Sequence, residues 1–316
     1  MNKVKNIYTF GTSFTKGGGF EFWEKLNNKG DVLKRVYRGI GEKLTQENFS
    51  WPGQLKKLIN DDNVNIINYA ESGHGNERLY RKAYQVINSE NFNVDTDVLF
   101  LEFSWLGRKE FFCNEINKSI ILNYNISPEK ELNENNGHAY RYFEDELNGI
   151  RIHNTKYIKW FDEYLSNHVD YTVQSNYMSN NLLLFLKYLT NKNIKFWFTQ
   201  PPIGINYDYF HELKWDSRLI DFHKNTNGFM LEFAVSNEFS FDHAGSIRAE
   251  TDSLVDDGHF GIISNKLVAS KVYDVLVENE LISNVNTLNL TGDYFNNIHK
   301  IIKENIRITK QIKKII

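Results

Sequence analysis

Four short apolar runs are spaced along the first two thirds of the chain. They cover Asn6–Phe10, Val64–Tyr69, Asp97–Phe103 and Ile194–Thr199. Each run is rich in Val, Ile, Leu or Phe and is bounded by turn residues. Continuous apolar runs of this length are typical of parallel strands that are buried on both faces. The pattern therefore predicts a parallel sheet.

Between and after these runs, apolar residues recur every three or four positions, which predicts helices. Such stretches start at Trp51-Pro52, run from about Asn76 to about Asn88, and cover Ser179–Leu189 and Ile262–Leu276. Proline suits the first turn of a helix, where its missing N–H costs nothing. The alternation of strands and helices predicts an α/β fold with a doubly wound parallel sheet.

Two segments, 106–176 and 203–255, are too long to be plain connections. The first contains Asn148-Gly149 between residues of strand type, which predicts a hairpin within Tyr140–Ile152. The second is rich in Phe, Tyr, His and Asp without a clear period, and we expect it to be irregular. We interpret both as insertions near the carboxyl edge of the sheet, where α/β proteins bind ligands and where substrate specificity would be set.

The last part of the chain changes character, so we divide it into an α/β domain at 1–282 and a C-terminal amphipathic helix at 283–316. Its apolar seam alternates steps of four and three and consists of Tyr294, Ile298, Ile301, Asn305, Ile308, Ile312 and Ile315. Isoleucine at both seam positions, with one polar residue, favours a coiled coil of several strands. We predict a homo-oligomer formed through residues 290–316. The alternatives are a helix docked on its own domain and a basic helix on an acidic surface.

Composition excludes several classes of protein. The formal net charge is −3 over 316 residues, so no nucleic-acid partner is predicted. Cys113 is the single cysteine, which excludes an internal disulfide and a cysteine-rich metal site. No signal peptide and no membrane-spanning stretch are evident. We therefore expect a protein of the cytoplasm or of a soluble viral particle, with no membrane partner.

The candidate chemistry lies near the two ends of the chain. Ser13 directly follows the first predicted strand, where a side chain can project at the carboxyl edge of the sheet. A serine hydroxyl needs a base, and the pKa of histidine suits His259 to that task. Asp256 lies three residues before His259, on what we expect to be a turn entering a helix. This spacing would let its carboxylate orient the imidazole.

Each of these residues also has a plainer interpretation. Ser13 alone would be read as a helix cap or a turn serine, and Asp256 and Asp257 as N-cap residues of the helix over Ile262–Leu276. The joint occurrence of both motifs in an α/β chain favours a catalytic Ser-His-Asp triad.

Four motifs together resemble the SGNH (GDSL-type) hydrolase superfamily. They are Phe10–Thr15, Asn68–Gly73, Leu101–Trp105 and Asp256–Phe260. The resemblance organises residues 6–278 and implies a flavodoxin-like fold and cleavage of esters, commonly deacetylation of carbohydrates or release of acyl groups from lipids. It also implies that Ser13 is the nucleophile and that the backbone N–H groups of Ser13 and Gly73 bind the oxyanion.

The chain departs from this family at two positions. Thr12 stands where Gly-Asp-Ser has its aspartate, and the third motif offers Ser104 but lacks the asparagine of Gly-x-Asn-Asp. Either Ser104 donates to the oxyanion, or Asn76 does, or the protein is a poor or inactive hydrolase. We favour Asn76 because its amide supplies an N–H donor; its alternative role is a helix N-cap.

We therefore predict a serine esterase or deacetylase that acts on a carbohydrate ester or another small acyl substrate. No cofactor is predicted, and no metal, because the histidines lack the spacing of metal ligands. The alternative is a non-catalytic binding or structural protein on the same fold, for example a component of a viral particle.

Overall fold

A computed structural model describes residues 3–17, 50–71, 74–104, 108–113, 118–123, 142–143, 171–199, 216–220, 243–248, 253–260 and 262–283. In chain order, the elements are β1 (Asn6–Phe10), α1 (Ser13–Lys16), α2 (Trp51–Ile59), β2 (Asn65–Asn68), α3 (Asn76–Ile87), β3 (Asp97–Glu102), β4 (Arg108–Cys113), β5 (Lys118–Asn123), β6 (Tyr142–Phe143), α4 (Tyr171–Asn191), β7 (Lys195–Thr199), β8 (His243–Arg248), β9 (Ser253–Phe260) and α5 (Ile262–Glu278).

The central sheet is parallel and has the strand order β2-β1-β3-β7. In register, Ile7 of β1 lies opposite Ile66 on one side and Val98 on the other. This order matches the first four strands of the flavodoxin-like arrangement. The predicted fold class is confirmed, and all four predicted strands are present with ends shifted by at most one residue.

Apolar side chains on the two faces of the sheet form two separate cores. Val98 and Phe100 of β3 pack with residues of α2 and α5, whereas Leu99 and Leu101 pack with residues of α3 and α4. The alternation arises because successive residues of a strand point to opposite faces. A continuous apolar run therefore supplies both cores, which gives the three-layer α/β/α arrangement.

The helices agree with the periodic pattern at most of their boundaries. Three begin at the predicted residue, namely α2 at Trp51, α3 at Asn76 and α5 at Ile262. The fourth, α4, begins at Tyr171, eight residues before its predicted start. Among the described residues, no helix is both long enough and apolar enough to span a bilayer.

The first insertion contains a small antiparallel sheet of order β4-β5-β6. The predicted hairpin at Asn148-Gly149 lies outside the described residues, and so does the predicted coiled coil at 290–316. The division at residues 282 and 283 stays a prediction.

The second insertion departs from its predicted irregularity. Strands β8 and β9 pair antiparallel, and a parallel bridge joins Leu219 to Phe198 of β7. The expectation of an irregular segment was wrong for residues 243–248. The turn expected at Asp256–His259 was also wrong, because these residues belong to β9 and pair with β8.

Candidate active site

The candidate site lies where the strand order reverses. The chain passes from β1 to β2 on one side and later to β3 on the other, so the loops that follow β1 and β3 leave the sheet in opposite directions. Such a switch point forms a crevice at the carboxyl edge of the sheet. Ser13 lies three residues beyond β1, and Ser104 lies two residues beyond β3.

Local hydrogen bonds shape the turn that carries Ser13. The Thr12 side chain is the N-cap of α1 and accepts from the Phe14 N–H at 3.5 Å. At the other end, Gly17 adopts a left-handed conformation (φ 86°), and its N–H donates to the Ser13 carbonyl at 2.9 Å. Glycine suits this conformation because it has no Cβ. Ser13 itself is 6% exposed. The candidate nucleophile is therefore buried at the start of a single-turn helix.

The last residue of β2 and the loop that follows it contact α1. The Asn68 amide donates to the Thr15 carbonyl and accepts from the Thr9 hydroxyl, both at 3.0 Å. Lys16 forms an ion pair with Glu71. The second sequence motif therefore fixes the backbone of the first.

Glu102, the last residue of β3, accepts hydrogen bonds from the N-cap residue of α1 and from a residue within α1. The Thr12 hydroxyl donates to Glu102 Oε1, and both the N–H (2.8 Å) and the hydroxyl of Thr15 donate to Oε2. Glu102 is 2% exposed. Burial raises the pKa of Glu102 above its ordinary value, although the hydrogen bonds from Thr12 and Thr15 act to lower it.

Gly11 is required by the close approach of this glutamate. A Cβ at Gly11 would lie 2.6 Å from Glu102 Oε2, 2.8 Å from Glu102 Cβ and 2.8 Å from the Thr15 hydroxyl oxygen. These distances are well inside van der Waals contact. The glycine of the Gly-x-Ser motif therefore makes room for a buried carboxyl group.

The two secondary-structure elements that carry the candidate triad residues are in contact with each other. Helix α1, which begins at Ser13, is in contact with β9, which carries Asp256 and His259. The plainer interpretation of Asp256 as an N-cap was wrong, because α5 begins only at Ile262.

A bulge in β9 coincides with the Asp-x-x-His motif. Asp256 pairs with Gly245 and His259 with Ala244, so two residues of β9 are extra in the ladder. Three residues of regular strand span about 10 Å, whereas Ala244 and Gly245 are neighbours with Cα atoms about 3.8 Å apart. The bulge therefore brings Asp256 and His259 closer together than a regular strand would.

Asn76 and Ser104 form a reciprocal pair. The Ser104 N–H donates to Asn76 Oδ1 at 2.7 Å, and Asn76 Nδ2 donates to the Ser104 carbonyl at 3.1 Å. A backbone N–H can only donate, so the pair fixes which end of the amide is the nitrogen. The alternative role of Asn76 as an N-cap was wrong, because Gly75 is the N-cap of α3. Gly73 lies outside the described residues.

Glu102 is the residue that sequence reasoning missed. Its signal was present in Asp97–Phe103, where a glutamate interrupts a run that is otherwise apolar after its first residue. A buried carboxyl group is costly unless it has hydrogen-bond partners. Thr12 and Thr15, in the motif Phe10–Thr15, are residues of a type that can donate to this carboxyl group.

No protein-family profile matches the chain, and no curated protein matches it. Among solved structures, the chain is similar to a lipolytic protein of the G-D-S-L family from Veillonella parvula DSM 2008, with 14% identity, a TM-score of 0.39 and coverage of 86% of this chain and 98% of that one. It is also similar to a protein from Desulfitobacterium hafniense DCB-2 that carries the same family name, with 11% identity, a TM-score of 0.35 and coverage of 86% and 99%.

The sheet has the strand order that the resemblance of the four motifs implies. One fold hosts many functions, so the fold alone does not determine the chemistry of the site. Within the described residues, no group of three or more His, Cys, Asp or Glu is placed to hold a metal ion.

Proposed function

We propose that the protein is a serine ester hydrolase of the SGNH type. The observation that carries the proposal is the contact between α1, which begins with buried Ser13 at the switch point of the sheet, and β9, which contains Asp256 and His259. These two elements are separated by more than two hundred residues in sequence. Their contact supports a shared site for a nucleophile and its base.

The proposed reaction follows the serine hydrolase scheme. The Ser13 hydroxyl attacks the ester carbonyl while His259 takes its proton, and His259 returns that proton to the departing alcohol. A water molecule then attacks the acyl-enzyme by the same route and releases the acid. Asp256 accepts a hydrogen bond from the other imidazole nitrogen and stabilises the protonated ring. The bulge in β9 supports this role by shortening the distance between the two residues.

The oxyanion of the tetrahedral intermediate is assigned to the N–H groups of Ser13 and Gly73 and to the Asn76 amide. Asn76 Nδ2 has two N–H bonds and donates one of them to the Ser104 carbonyl. The second N–H bond is the one that we assign to the oxyanion. Removal of one oxyanion donor typically lowers kcat by about 10²–10³-fold, so Asn76→Ala is expected to show a loss of that size.

The substrate is proposed to be an ester with a small acyl group, carried by a carbohydrate or another small molecule. A homo-oligomer through residues 290–316 is proposed as well. Light scattering that shows a monomer both before and after removal of residues 290–316 would contradict the oligomer.

The test of the catalytic proposal combines turnover of p-nitrophenyl acetate with labelling by a fluorophosphonate. The wild-type protein should hydrolyse the ester and take up one label per chain, whereas Ser13→Ala should do neither. His259→Ala should lose most of both activities, because the hydroxyl then lacks its base.

Ser89→Ala is the matched control. Ser89 follows α3 at the opposite end of the sheet, where its hydroxyl donates to the Val86 carbonyl at 2.7 Å. This variant should label and turn over like the wild type. Equal behaviour of wild type and Ser13→Ala would overturn the proposal and favour the non-catalytic binding or structural protein.

A further inference from the structure

Glu102 accepts hydrogen bonds from residues on both sides of Ser13 in the sequence. One carboxylate oxygen accepts from Thr12, the residue before Ser13, and the other accepts twice from Thr15, two residues after it. Thr12 and Thr15 are 1% and 0% exposed. Three donors converge on one side chain, and water has no access to replace any of them.

We propose that Glu102 is a positioning residue for Ser13, which it places by fixing the turn from Thr12 to Thr15. This inference rests on the proposed function, because it concerns the same hydroxyl. Glu102 does not touch the reacting atoms in this scheme. It sets the direction in which α1 leaves β1, and so the position of the nucleophile relative to the base.

The same network reaches the helix that follows the candidate base. The indole N–H of Trp51 donates to the Thr15 hydroxyl oxygen at 3.0 Å, and the backbone N–H of Trp51 donates to Asn265 Oδ1 at 2.8 Å. Asn265 lies in the first turn of α5, six residues after His259. Glu102, Thr15, Trp51 and Asn265 therefore link α1 to the helix that begins just beyond β9.

The chemistry of the side chain explains why a carboxylate stands here. In the ionised form its two oxygens act as acceptors only, with about four lone pairs, and so serve one N–H and two hydroxyl groups together. A glutamine offers one acceptor oxygen and one donor nitrogen. Glu102→Gln therefore keeps the size of the side chain but places an N–H₂ group against one of these donors.

The experiment compares four variants with the wild-type protein and Ser13→Ala. Glu102→Gln and Thr15→Val disturb the turn, Thr15→Ser keeps the hydroxyl, and Asp97→Asn alters the buried carboxyl group at the other end of β3. For each we would measure kcat and KM for p-nitrophenyl acetate, the second-order rate of fluorophosphonate labelling, and urea unfolding.

Displacement of a catalytic group by about 1 Å can cost about 10²-fold in rate. Glu102→Gln and Thr15→Val are expected to lower kcat and the labelling rate by about 10- to 100-fold, with KM within about twofold of wild type. Thr15→Ser should stay within about threefold of wild type, since its hydroxyl reaches the same oxygen. Asp97→Asn should lower stability and leave both rate constants nearly unchanged.

A purely structural role would give a different result. Wild-type kcat and labelling rates in Glu102→Gln and Thr15→Val, with Ser13→Ala inactive, would overturn this inference and leave the proposed function standing. Activity in Ser13→Ala would overturn both. If Glu102→Gln does not fold, the Thr15 pair decides, and equal rates for Val and Ser would overturn the inference.

Discussion

The two ends of strand β3 each bury a carboxyl group, and the two groups have different partners. Asp97, at the amino end, is fully buried and accepts from the Asn6 amide at 2.9 Å and the Asn93 N–H at 3.0 Å. Glu102, at the carboxyl end, accepts from Thr12 and Thr15. One strand thus carries two buried acids five residues apart.

The identity of the donors separates the two roles. The donors to Asp97 belong to β1 and to the turn that leads into β3, so this acid connects these two segments at the amino edge of the sheet. The donors to Glu102 belong to the turn that carries Ser13, at the edge where ligands bind. Burial of a carboxyl group alone does not mark a functional site. What marks it is the element that the group holds.

The largest effect on stability is expected at Asp97. Asp97→Ala removes the acceptor for the Asn6 amide, the Asn93 N–H and the Thr96 hydroxyl, which donates at 3.2 Å. These three donors are partly buried, and the buried Tyr8 hydroxyl, which donates to Asp97 at 3.5 Å, loses its acceptor as well; a donor left fully without a partner costs about 1–3 kcal/mol. We expect the free energy of unfolding to fall by about 3 kcal/mol or more, measured by urea denaturation. A loss below about 1 kcal/mol would contradict the stabilising role of this acid at the amino edge of the sheet.

A somewhat smaller loss is expected from crowding at the other end of the strand. Gly11→Ala places a methyl group 2.6 Å from Glu102 Oε2, and forced overpacking of a core typically costs about 1–3 kcal/mol. The double variant Gly11→Ala/Glu102→Ala should lose less than the sum of the two single variants, because alanine at 102 removes the contact with Oε2, while the contacts with the Cβ of residue 102 and with the Thr15 hydroxyl oxygen remain. Strict additivity in this double-mutant cycle would argue against the close approach.

The sequence predicted β1, β2, β3 and β7 well because each is a short apolar run, and burial on both faces leaves that signature in the local sequence. The position of Ser13 after β1 followed from the same pattern. The Asp-x-x-His motif was misplaced because β9 exists through its pairing with β8, whose sequence His243–Arg248 alternates weakly. Such pairing is non-local, and no local period announces it.

A pH-dependent difference should separate the buried glutamate from its neutral isostere. The pKa of Glu102 is raised by burial, so the native state binds more protons than the unfolded chain from about pH 4.5 up to that raised pKa. The unfolding free energy of the wild type therefore falls as the pH rises through this window. Glu102→Gln lacks this contribution.

The measurement is urea unfolding of both proteins at intervals from pH 4 to pH 8. The stability of the wild type relative to Glu102→Gln should be constant and highest below about pH 4.5, and should fall as the pH rises above that value. All other titrating groups are shared by the two proteins and cancel in the difference. Parallel stability curves would show that Glu102 titrates as it does in the unfolded chain.

The smallest effect is expected at the far end of the network, where α5 caps α2. Ser50, the N-cap residue of α2, makes no side-chain capping hydrogen bond, and Asn265 accepts the Trp51 N–H in its place. Loss of a capping acceptor costs about 1 kcal/mol. We expect Asn265→Ala to lower the unfolding free energy by about that amount, and Ser50→Ala to lower it by less, because the Ser50 side chain makes no capping hydrogen bond. The reverse order would mean that α2 is capped by its own sequence, and that the link from Glu102 ends at Trp51.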